Sequence, residues 1–279
     1  MIFDVHVHLF PPDVTRRIEK YTGQDPFLAE ICSSKGHKYA TVEDLLAEMD
    51  KCGVEKTAIS GFASSDPGLC REMNDYILEA ARLFPQRLIA MAVVFPLDRA
   101  MERELDRTFT NGARGVGELF PWGQSFALEG RPAQRLAYYC QERKLPLLLH
   151  LNENVGHYYT GKGDLSIKEG ARFAAKFSSL PIIFAHWGGG LCFYELMPEL
   201  KDQLRNVYYD TAATPFLYSK NIFKVVREIG ILDKILLGSD YPLISPCRYL
   251  RELESSGLEP HEISQISGEN AARLFSVNC

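Results

Sequence analysis

The stretch that decides the fold is residues 2–9, IFDVHVHL, an apolar run that carries two histidines. Side chains alternate along an extended strand, so Asp4, His6 and His8 are expected on one face and the two valines on the other. The polar face then needs water, a hydrogen-bonding partner or a metal ion. For an isolated pair of histidines, a half-exposed strand whose imidazoles face solvent is the alternative.

Seven more apolar runs follow, with helix-like segments between them. Among those segments, 41–52 begins with a capping box of Thr41 and Asp44, and 74–84 is expected to open on Asn74 as its cap. Eight strand–helix units within 279 residues, with no linker between them, predict an α/β protein: a (β/α)8 TIM barrel forming a single domain over residues 1–279. A doubly wound open sheet is the alternative, but the first strand lacks a glycine-rich turn after it. The seven further runs lie at 55–62, 87–95, 113–119, 145–151, 181–186, 206–211 and 234–240.

Two connections are unusually long, 10–40 after the first strand and 152–170 after the fifth. Both leave the carboxyl end of a strand, which is the active-site end of a TIM barrel. We therefore expect lid-like insertions over a pocket at these two places.

Composition narrows the classes of partner. The formal net charge is −5 without a basic block, which does not favour nucleic acid, and no apolar stretch is long enough to span a bilayer. A small-molecule substrate and a cytoplasmic location are expected, and a homodimer is one expectation for the assembly. The cysteines are scattered and form no CxxC pair, so we expect reduced thiols, mostly in the core, at Cys32, Cys52, Cys70, Cys140, Cys192, Cys247 and Cys279.

Polar residues recur where the predicted strands end. A lone histidine in such a position is more often a hydrogen-bonded core residue than a ligand. In a closed barrel, however, the ends of strands one, five, six and eight converge on one mouth, where they can surround a divalent cation. These strand-end residues are His6, His8, His150, His186 and Asp240. Solvated surface roles are expected for His37, His157 and His261.

This pattern resembles the amidohydrolase superfamily. The segments GSDYP at 238–242 and ISGENAARLF at 266–275 resemble its amidohydrolase-2 branch, which contains metal-dependent hydrolases and nonoxidative decarboxylases similar to aminocarboxymuconate-semialdehyde decarboxylase. The resemblance implies one divalent ion, usually Zn²⁺ with Mn²⁺ as an alternative. It implies that the ion's ligands are His6, His8, His150 and Asp240. His186 would lie beside the ion as an acid or base, a polarising group or a further ligand.

Glu118, in GVGELF, admits two interpretations. In deoxyribonuclease-type relatives of the superfamily, a Gly-Glu at the end of strand four bridges a second metal, and Gly117-Glu118 resembles it. The alternative is a carboxylate that faces substrate or supports a ligand. One ion is therefore expected, and two if Glu118 bridges.

Four other residues carry smaller expectations. Arg114 is expected to pair with a substrate carboxylate or with Glu118. Trp187 and Tyr158 are candidates for substrate contact, with tight-turn formation and lid packing as the alternatives. Asp210 is expected either to orient a ligating histidine or to cap the next helix.

The leading functional expectation is metal-dependent hydrolysis of an amide, lactone or ester, in which Asp240 accepts a proton from water and His186 assists the leaving group. The alternative is nonoxidative decarboxylation of an aromatic or conjugated acid at the same site. Both chemistries use the same ligands, and substrate choice lies in the loops. A noncatalytic metal-binding barrel and a two-metal phosphoesterase are weaker expectations, the latter dependent on Glu118.

Overall fold

Eight parallel strands pair in sequence order around a barrel in the computed structural model, which describes residues 1–34, 36–164 and 166–277. Hydrogen bonds from Val5 N to Leu237 O (2.9 Å) and from Asp240 N to His6 O (2.9 Å) join the last strand segment to the first. The predicted (β/α)8 class is therefore confirmed. The strands are β1 Phe3–His8, β2 Lys56–Ser60, β3 Leu88–Ala92, β4 Gly115–Leu119, β5 Leu147–Leu149, β6 Ile182–Phe184, β7 Val207–Asp210 and β8 Ile235–Leu236.

Helices connect the strands. Their bounds are α1 Ile18–Gln24, α2 Pro26–Ser33, α3 Val42–Cys52, α4 Pro67–Leu83, α5 Met101–Thr110, α6 Arg131–Glu142, α7 Ile167–Lys176, α8 Pro198–Gln203, α9 Thr214–Leu217, α10 Ile222–Ile229, α11 Pro246–Glu254, α12 Pro260–Ser264 and α13 Asn270–Leu274. Tight 3-10 turns occupy Val14–Arg16 and Leu232–Lys234, and a π-helical turn occupies Gln265–Glu269. The segment His186–Leu196 is an irregular turn whose backbone is left-handed at Trp187–Gly190. In the part of the chain that the structure describes, no helix is long and apolar enough to cross a membrane.

Of the two predicted helix starts, one is confirmed and one is wrong. Thr41 and Asp44 form the predicted capping box of α3. The prediction for Asn74 is wrong, because α4 begins at Pro67 with Asp66 as its cap. Asn74 lies inside α4, where its amide donates to Val93 O and accepts from Val93 N, both at 2.8 Å. A residue type that favours caps is used here to tie a helix to the end of β3.

The core has two layers. An inner cluster of strand residues fills the barrel and is closed at the amino-terminal end by α13, where Phe275 lies 5.5 Å from Phe3 between ring centroids. An outer cluster lies between strands and helices and includes Val7. Val5 belongs to the inner cluster. The pairing of β1 with β2 shifts register between Asp4 and Val7. The expected alternation is therefore wrong for Val5, whereas His6 and His8 share one face as expected.

The two long connections both contribute to the barrel mouth. Residues 10–40 hold α1 and α2, and residues 152–170 lead into α7. Lys35 and Leu165, one in each connection, lie outside the described residues. Closure of either connection over a ligand stays a prediction.

The expectation that all seven cysteines are reduced is wrong for Cys52 and Cys247. These residues form a disulfide across a sequence separation of 195, because α3 packs against α11 and brings their Cα atoms to 5.0 Å. Cys32, Cys70, Cys140 and Cys192 are free thiols, and all but Cys32 are buried. Cys279 lies outside the described residues.

Candidate metal and active site

Six titratable side chains converge at the carboxyl ends of the strands. Two come from β1, one from β4, and one each from the segments that follow β5, β6 and β8. They form two groups of three within which ligand atoms lie no more than 4.8 Å apart: His6, His8 and Asp240, and Glu118, His150 and His186. The structure thus brings together all the residues expected to bind metal, together with His186.

The first group surrounds one point. His6 Nε2 lies 3.1 Å from His8 Nε2, and Asp240 Oδ1 lies 3.7 and 3.6 Å from these two atoms. Glu118 Oε2 lies 3.2 Å from each of the same nitrogens. Four donor atoms from three parts of the barrel therefore face one another.

The second group uses the other oxygen of Glu118. Its Oε1 lies 3.0 Å from His150 Nδ1 and 3.6 Å from His186 Nε2, and these two nitrogens are 3.2 Å apart. His150 therefore sits with His186 on the far side of Glu118. The resemblance had implied a single ligand set that combines His150 with His6, His8 and Asp240.

These donor sets fit divalent cations. Ligand atoms about 2.1 Å from a shared ion lie roughly 3.0 to 3.4 Å apart at tetrahedral or right angles, close to the spacings in both groups. His6 and His8 each use Nδ1 toward a neighbouring acceptor, which leaves lone pairs on their two Nε2 atoms and on Glu118 Oε2. These three atoms all present lone pairs to one another, so they repel unless a cation or a proton lies between them.

Supporting hydrogen bonds differ between the two groups. His6 Nδ1 donates to Asp210 Oδ2 at 2.8 Å, and His8 Nδ1 lies 3.3 Å from Ser60 Oγ and 3.4 Å from Gly61 O. Among the described buried atoms, His150 Nε2 and His186 Nδ1 have no hydrogen-bond partner. Ligating histidines usually donate their other ring N–H to an acceptor, so the first group is the better supported of the two.

Asp210 has the first of the two roles expected for it, the orientation of a histidine, whereas the next helix, α9, begins after Ala213 without a side-chain cap. Asp210 Oδ2 orients His6, and its Oδ1 accepts from the backbone N–H groups of His186 and Ala212, each at 2.9 Å. One carboxylate therefore supports a ligand on β1, the turn after β6 and the turn after β7.

Two site residues have left-handed backbones. His186 and Asp240 both have φ of +57°, a conformation that costs non-glycine residues about 1 to 3 kcal/mol. The bond from His186 N to Asp210 and that from Asp240 N to His6 O (2.9 Å) hold these conformations. The strain sits where the two side chains must leave their strands and turn into the cluster.

Charges within the cluster shift the pKa values of His6 and Glu118 in opposite directions. Burial by itself lowers the pKa of His6, but Glu118, Asp210 and Asp240 raise it well above its ordinary value. Burial likewise raises the pKa of Glu118, whereas His6 and His150 lower it well below the ordinary value. An entering cation therefore competes with a proton on His6.

A cavity of about 580 Å³ opens above the cluster. Phe62 and Phe120 stack at 4.7 Å between centroids, and Phe120 lies 6.3 Å from His8 and 5.2 Å from His150. The polar end of the cavity thus adjoins a flat aromatic wall. Further aromatic lining comes from Phe10, Phe27, Tyr159 and Phe216.

Three residues that were predicted to contact substrate are not part of the cavity lining. Arg114 is exposed and precedes β4, at the opposite end of the strand from Glu118. The prediction that it pairs with substrate or with Glu118 is therefore wrong. The Trp187 ring is fully buried and donates through Nε1 to Thr214 Oγ1 at 2.7 Å. Tyr158 is 74% exposed and its hydroxyl bonds Glu30, whereas its neighbour Tyr159 lines the cavity. Trp187 and Tyr158 are absent from the described cavity lining.

The glycines after Trp187 have a packing role. A Cβ on Gly189, whose φ is +59°, would lie 2.3 Å from the backbone oxygen of Asn152. The run 188–190 therefore forms a tight turn against the segment after β5.

Part of the cavity lining was not predicted from the sequence. His37 and His157, expected to be surface residues, both line the cavity, as does Lys38. Their position in the long connections after β1 and β5 was the available signal, because these connections were expected at the mouth. Phe27, in α2, and Phe62, just after β2, were missed because apolar residues in such positions resemble ordinary packing residues.

Comparisons with known proteins give one family. An amidohydrolase family model (Amidohydro_2) matches residues 3–277. None of the curated proteins matches the chain significantly.

Solved structures with the same fold are enzymes of several reactions. The 5-carboxyvanillate decarboxylase LigW from Sphingomonas paucimobilis has a TM-score of 0.79 at 16% identity, with 99% of each chain covered. The 5-carboxyvanillate decarboxylase from Novosphingobium aromaticivorans, complexed with manganese and a nitrobenzoic acid, has a TM-score of 0.78 at 16% identity, covering 99% of this chain and 96% of the other. The 4-oxalomesaconate hydratase from Rhodopseudomonas palustris has a TM-score of 0.70 at 19% identity, covering 99% and 96%.

Proposed function

The chain belongs to the amidohydrolase family, and from that premise we propose that it is a divalent-metal-dependent decarboxylase of a small planar aromatic or conjugated acid. The observation that carries the proposal is the union of the ligand cluster with the Phe62–Phe120 wall in one cavity. A planar acid that lies along this wall brings its carboxylate to the cluster. Similar structures that are decarboxylases support this reading over hydrolysis, the leading expectation from sequence.

His6, His8, Asp240 and Oε2 of Glu118 would hold the ion. Nitrogen and carboxylate donors accept Zn²⁺ and Mn²⁺ alike, and the manganese in a similar decarboxylase makes Mn²⁺ the first ion to test. When bound, the ion supplies positive charge that binds the substrate carboxylate and stabilises negative charge that develops beside it.

The reaction breaks the bond between the carboxyl carbon and the ring or chain carbon. CO₂ leaves, the electron pair stays on that carbon, and a proton replaces the carboxyl group. Asp240 is our candidate for carrying this proton, because its side chain is 17% exposed at the cavity, against 2% for Glu118. His186 lines the same cavity, and its Nε2 lies 3.6 Å from Glu118 Oε1 and 3.2 Å from His150 Nδ1. The aromatic wall excludes water and keeps the substrate plane fixed.

Hydrolysis is the second candidate, favoured by one observation. The two oxygens of Glu118 face separate donor groups, with 3.2 Å to His8 and 3.0 Å to His150, as a carboxylate that bridges two ions would. A pair of ions suits attack by water on an amide, lactone or phosphate ester. The number of ions bound therefore bears on the choice of reaction.

The test is a substrate screen on protein loaded separately with Mn²⁺ and Zn²⁺. Hydroxybenzoic acids, conjugated dicarboxylic acids, small lactones and amides are incubated while CO₂ and acid release are both recorded. We expect CO₂ from at least one planar acid, and loss of that activity in Asp240→Asn with the circular dichroism spectrum unchanged. Acid release from lactones or amides without CO₂ from any acid would overturn the proposal in favour of hydrolysis.

A further inference from the structure

Three buried polar side chains connect the segments at the carboxyl ends of the first four strands. Asp25 precedes α2, Ser64 follows β2, and Gln124 lies in the turn after β4. Each of the three is 1% exposed or less. They stand outside the two groups of metal-binding candidates, so their hydrogen bonds are explained by what they hold in place.

Asp25 uses both oxygens of its carboxylate. Its Oδ1 accepts from the backbone N–H groups of Phe27 (2.9 Å) and Leu28 (3.0 Å), and so caps α2. Its Oδ2 accepts from Ser64 Oγ (2.6 Å) and from the backbone N–H of Ser65 (2.7 Å). One carboxylate therefore fastens α2, in the connection after β1, to the segment after β2.

Gln124 fastens the next two segments to the same place. Its Nε2 donates to Ser64 O and to Val94 O, each at 2.8 Å, and Val94 lies just after β3. Its Oε1 accepts from the backbone N–H of Phe120 at 3.1 Å. Since Ser64 contacts Asp25 through its hydroxyl and Gln124 through its carbonyl, one hydrogen-bond network runs from α2 to the turn after β4.

This network holds the backbone that carries three rings of the cavity lining. Phe27 and Phe120 donate their own N–H groups to it, and Phe62 lies two residues before Ser64. The centroid of the Phe27 ring is 5.3 Å from that of Phe120 and 5.9 Å from that of Phe62. The Phe27 ring also packs on Gly123, where a Cβ would come within 2.3 Å of it. All three rings line the cavity.

We propose that Asp25 and Gln124 are positioning residues for the cavity wall, the rings of Phe27, Phe62 and Phe120, and that this fixed wall makes the site select flat acids over puckered acids of the same size. The inference rests on the proposed function, because it takes the wall as the surface on which the substrate lies. Rings that are already fixed lose little freedom when a flat ligand stacks on them. A buried network keeps them fixed only while every member has its partner.

The test compares benzoate with cyclohexanecarboxylate, which have the same carboxylate and the same number of carbon atoms but differ in the shape of the ring. Each is titrated by calorimetry into the full Mn²⁺-loaded chain. Because contact of the carboxylate with the ion is common to both acids, the ratio of their affinities reports contact with the wall. We expect benzoate to bind about fivefold more tightly.

Asp25→Asn and Gln124→Glu keep the size of each side chain but reverse one of its hydrogen-bonding roles. In Asp25→Asn a donor replaces one of the two acceptor oxygens, and in Gln124→Glu an acceptor faces two carbonyl groups. We expect the preference for benzoate to fall below about twofold in both variants, because buried groups lose their partners and the wall loosens. The Kd for Mn²⁺ should stay unchanged. Asp66→Asn is the matched control, since Asp66 is also a helix cap, of α4, and it should keep the preference.

Benzoate that binds no better than cyclohexanecarboxylate to the unaltered protein would overturn the proposal. A preference kept in both variants, or lost together with Mn²⁺ affinity, would do so as well. If circular dichroism shows that a variant is unfolded, hydrogen exchange of the unaltered protein decides. The N–H groups of Phe27, Ser65 and Phe120 should then exchange as slowly as those of β2, and rapid exchange at these three positions would contradict a fixed wall.

These readouts need no turnover, so they separate the two proposals. A preference that depends on Asp25 and Gln124, without CO₂ release from any acid, would contradict the proposed reaction and leave the positioning role standing. CO₂ release with a preference that neither variant changes would do the reverse.

Discussion

Glu118 Oε1 lies 3.0 Å from His150 Nδ1, and this contact joins two groups of three residues into one cluster. Glu118 is 1% exposed and reaches the first group through its other oxygen. The carboxylate at the end of β4 is thus the centre of the site, although the sequence left its role open between bridging and support.

The two halves of the cluster should bind metal with unequal affinity. His6 and His8 have acceptors for Nδ1, whereas His150 Nε2 and His186 Nδ1 are without partners among the described atoms, and loss of such support typically costs 10- to 100-fold in affinity. In a Mn²⁺ titration of metal-stripped protein we expect one strong site and any second ion at least about tenfold weaker. His8→Ala should remove the strong site, and His150→Ala should affect only the weak one. Loss of the strong site in His150→Ala alone would contradict this ordering.

Asp210→Asn should weaken the strong site about 10- to 100-fold. The substitution removes the negative charge that accepts from His6 Nδ1 at 2.8 Å and leaves an amide that can present a donor there instead. The Kd for Mn²⁺, measured against a competing chelator, gives the comparison. Asp202→Asn is the matched control, because that side chain is 81% exposed. Equal affinities in the two variants would show that Asp210 serves only the turns it caps.

Lys234→Met should lower the free energy of unfolding by about 3 kcal/mol, because it leaves a buried carboxylate without its counter-charge. Lys234 Nζ lies 2.6 Å from Oε2 of Glu195, whose side chain is fully buried, and Tyr209 donates to Oε1 at 2.8 Å. Burial raises the pKa of Glu195, which shows that the ionised form needs these partners. Urea denaturation measures the effect.

The double variant Glu195→Gln with Lys234→Met supplies the control for that measurement. Removing both charges should recover most of the loss, since no unpaired charge is then buried. A double variant as unstable as Lys234→Met alone would mean that the loss comes from packing of the lysine side chain.

Cys52→Ser should lower the unfolding free energy by about 2 to 4 kcal/mol in oxidised protein, because the disulfide to Cys247 closes a loop of 195 residues. In excess dithiothreitol the variant and the unaltered protein should have similar stability. Thiol titration of denatured protein provides the second check, with two fewer thiols before reduction than after it. Equal thiol counts before and after reduction would contradict the disulfide.

The sequence predicted the barrel well because strand and helix signals are local. All eight predicted strands contain an observed strand, and the Thr41 capping box is present. Local signals failed where distant contacts decide the outcome. Asn74 bonds to the end of β3, and Cys52 meets a cysteine 195 residues away. Neither partner is visible in the sequence around the residue.

In the candidate site too, local signals were predictable from the sequence and distant contacts were not. Strand ends could be located from sequence, so convergence of His6, His8 and Asp240 was foreseeable. The grouping of His150 with His186 around Glu118 depends on backbone turns, including the left-handed φ at His186, that no periodicity reveals. Arg114 was misassigned because four residues along β4 separate one end of the barrel from the other.

The most direct test of decarboxylation follows the hydrogen and oxygen atoms of the reaction. The planar acid that gives the highest turnover is incubated with Mn²⁺-loaded enzyme in deuterated water, and separately in water enriched in ¹⁸O. Decarboxylation predicts one CO₂ per product and one deuterium on the carbon that lost the carboxyl group, with no ¹⁸O incorporated into the ring product. A product that keeps its carboxyl group and carries ¹⁸O, formed without CO₂, would contradict the account, because it requires addition of water to the substrate.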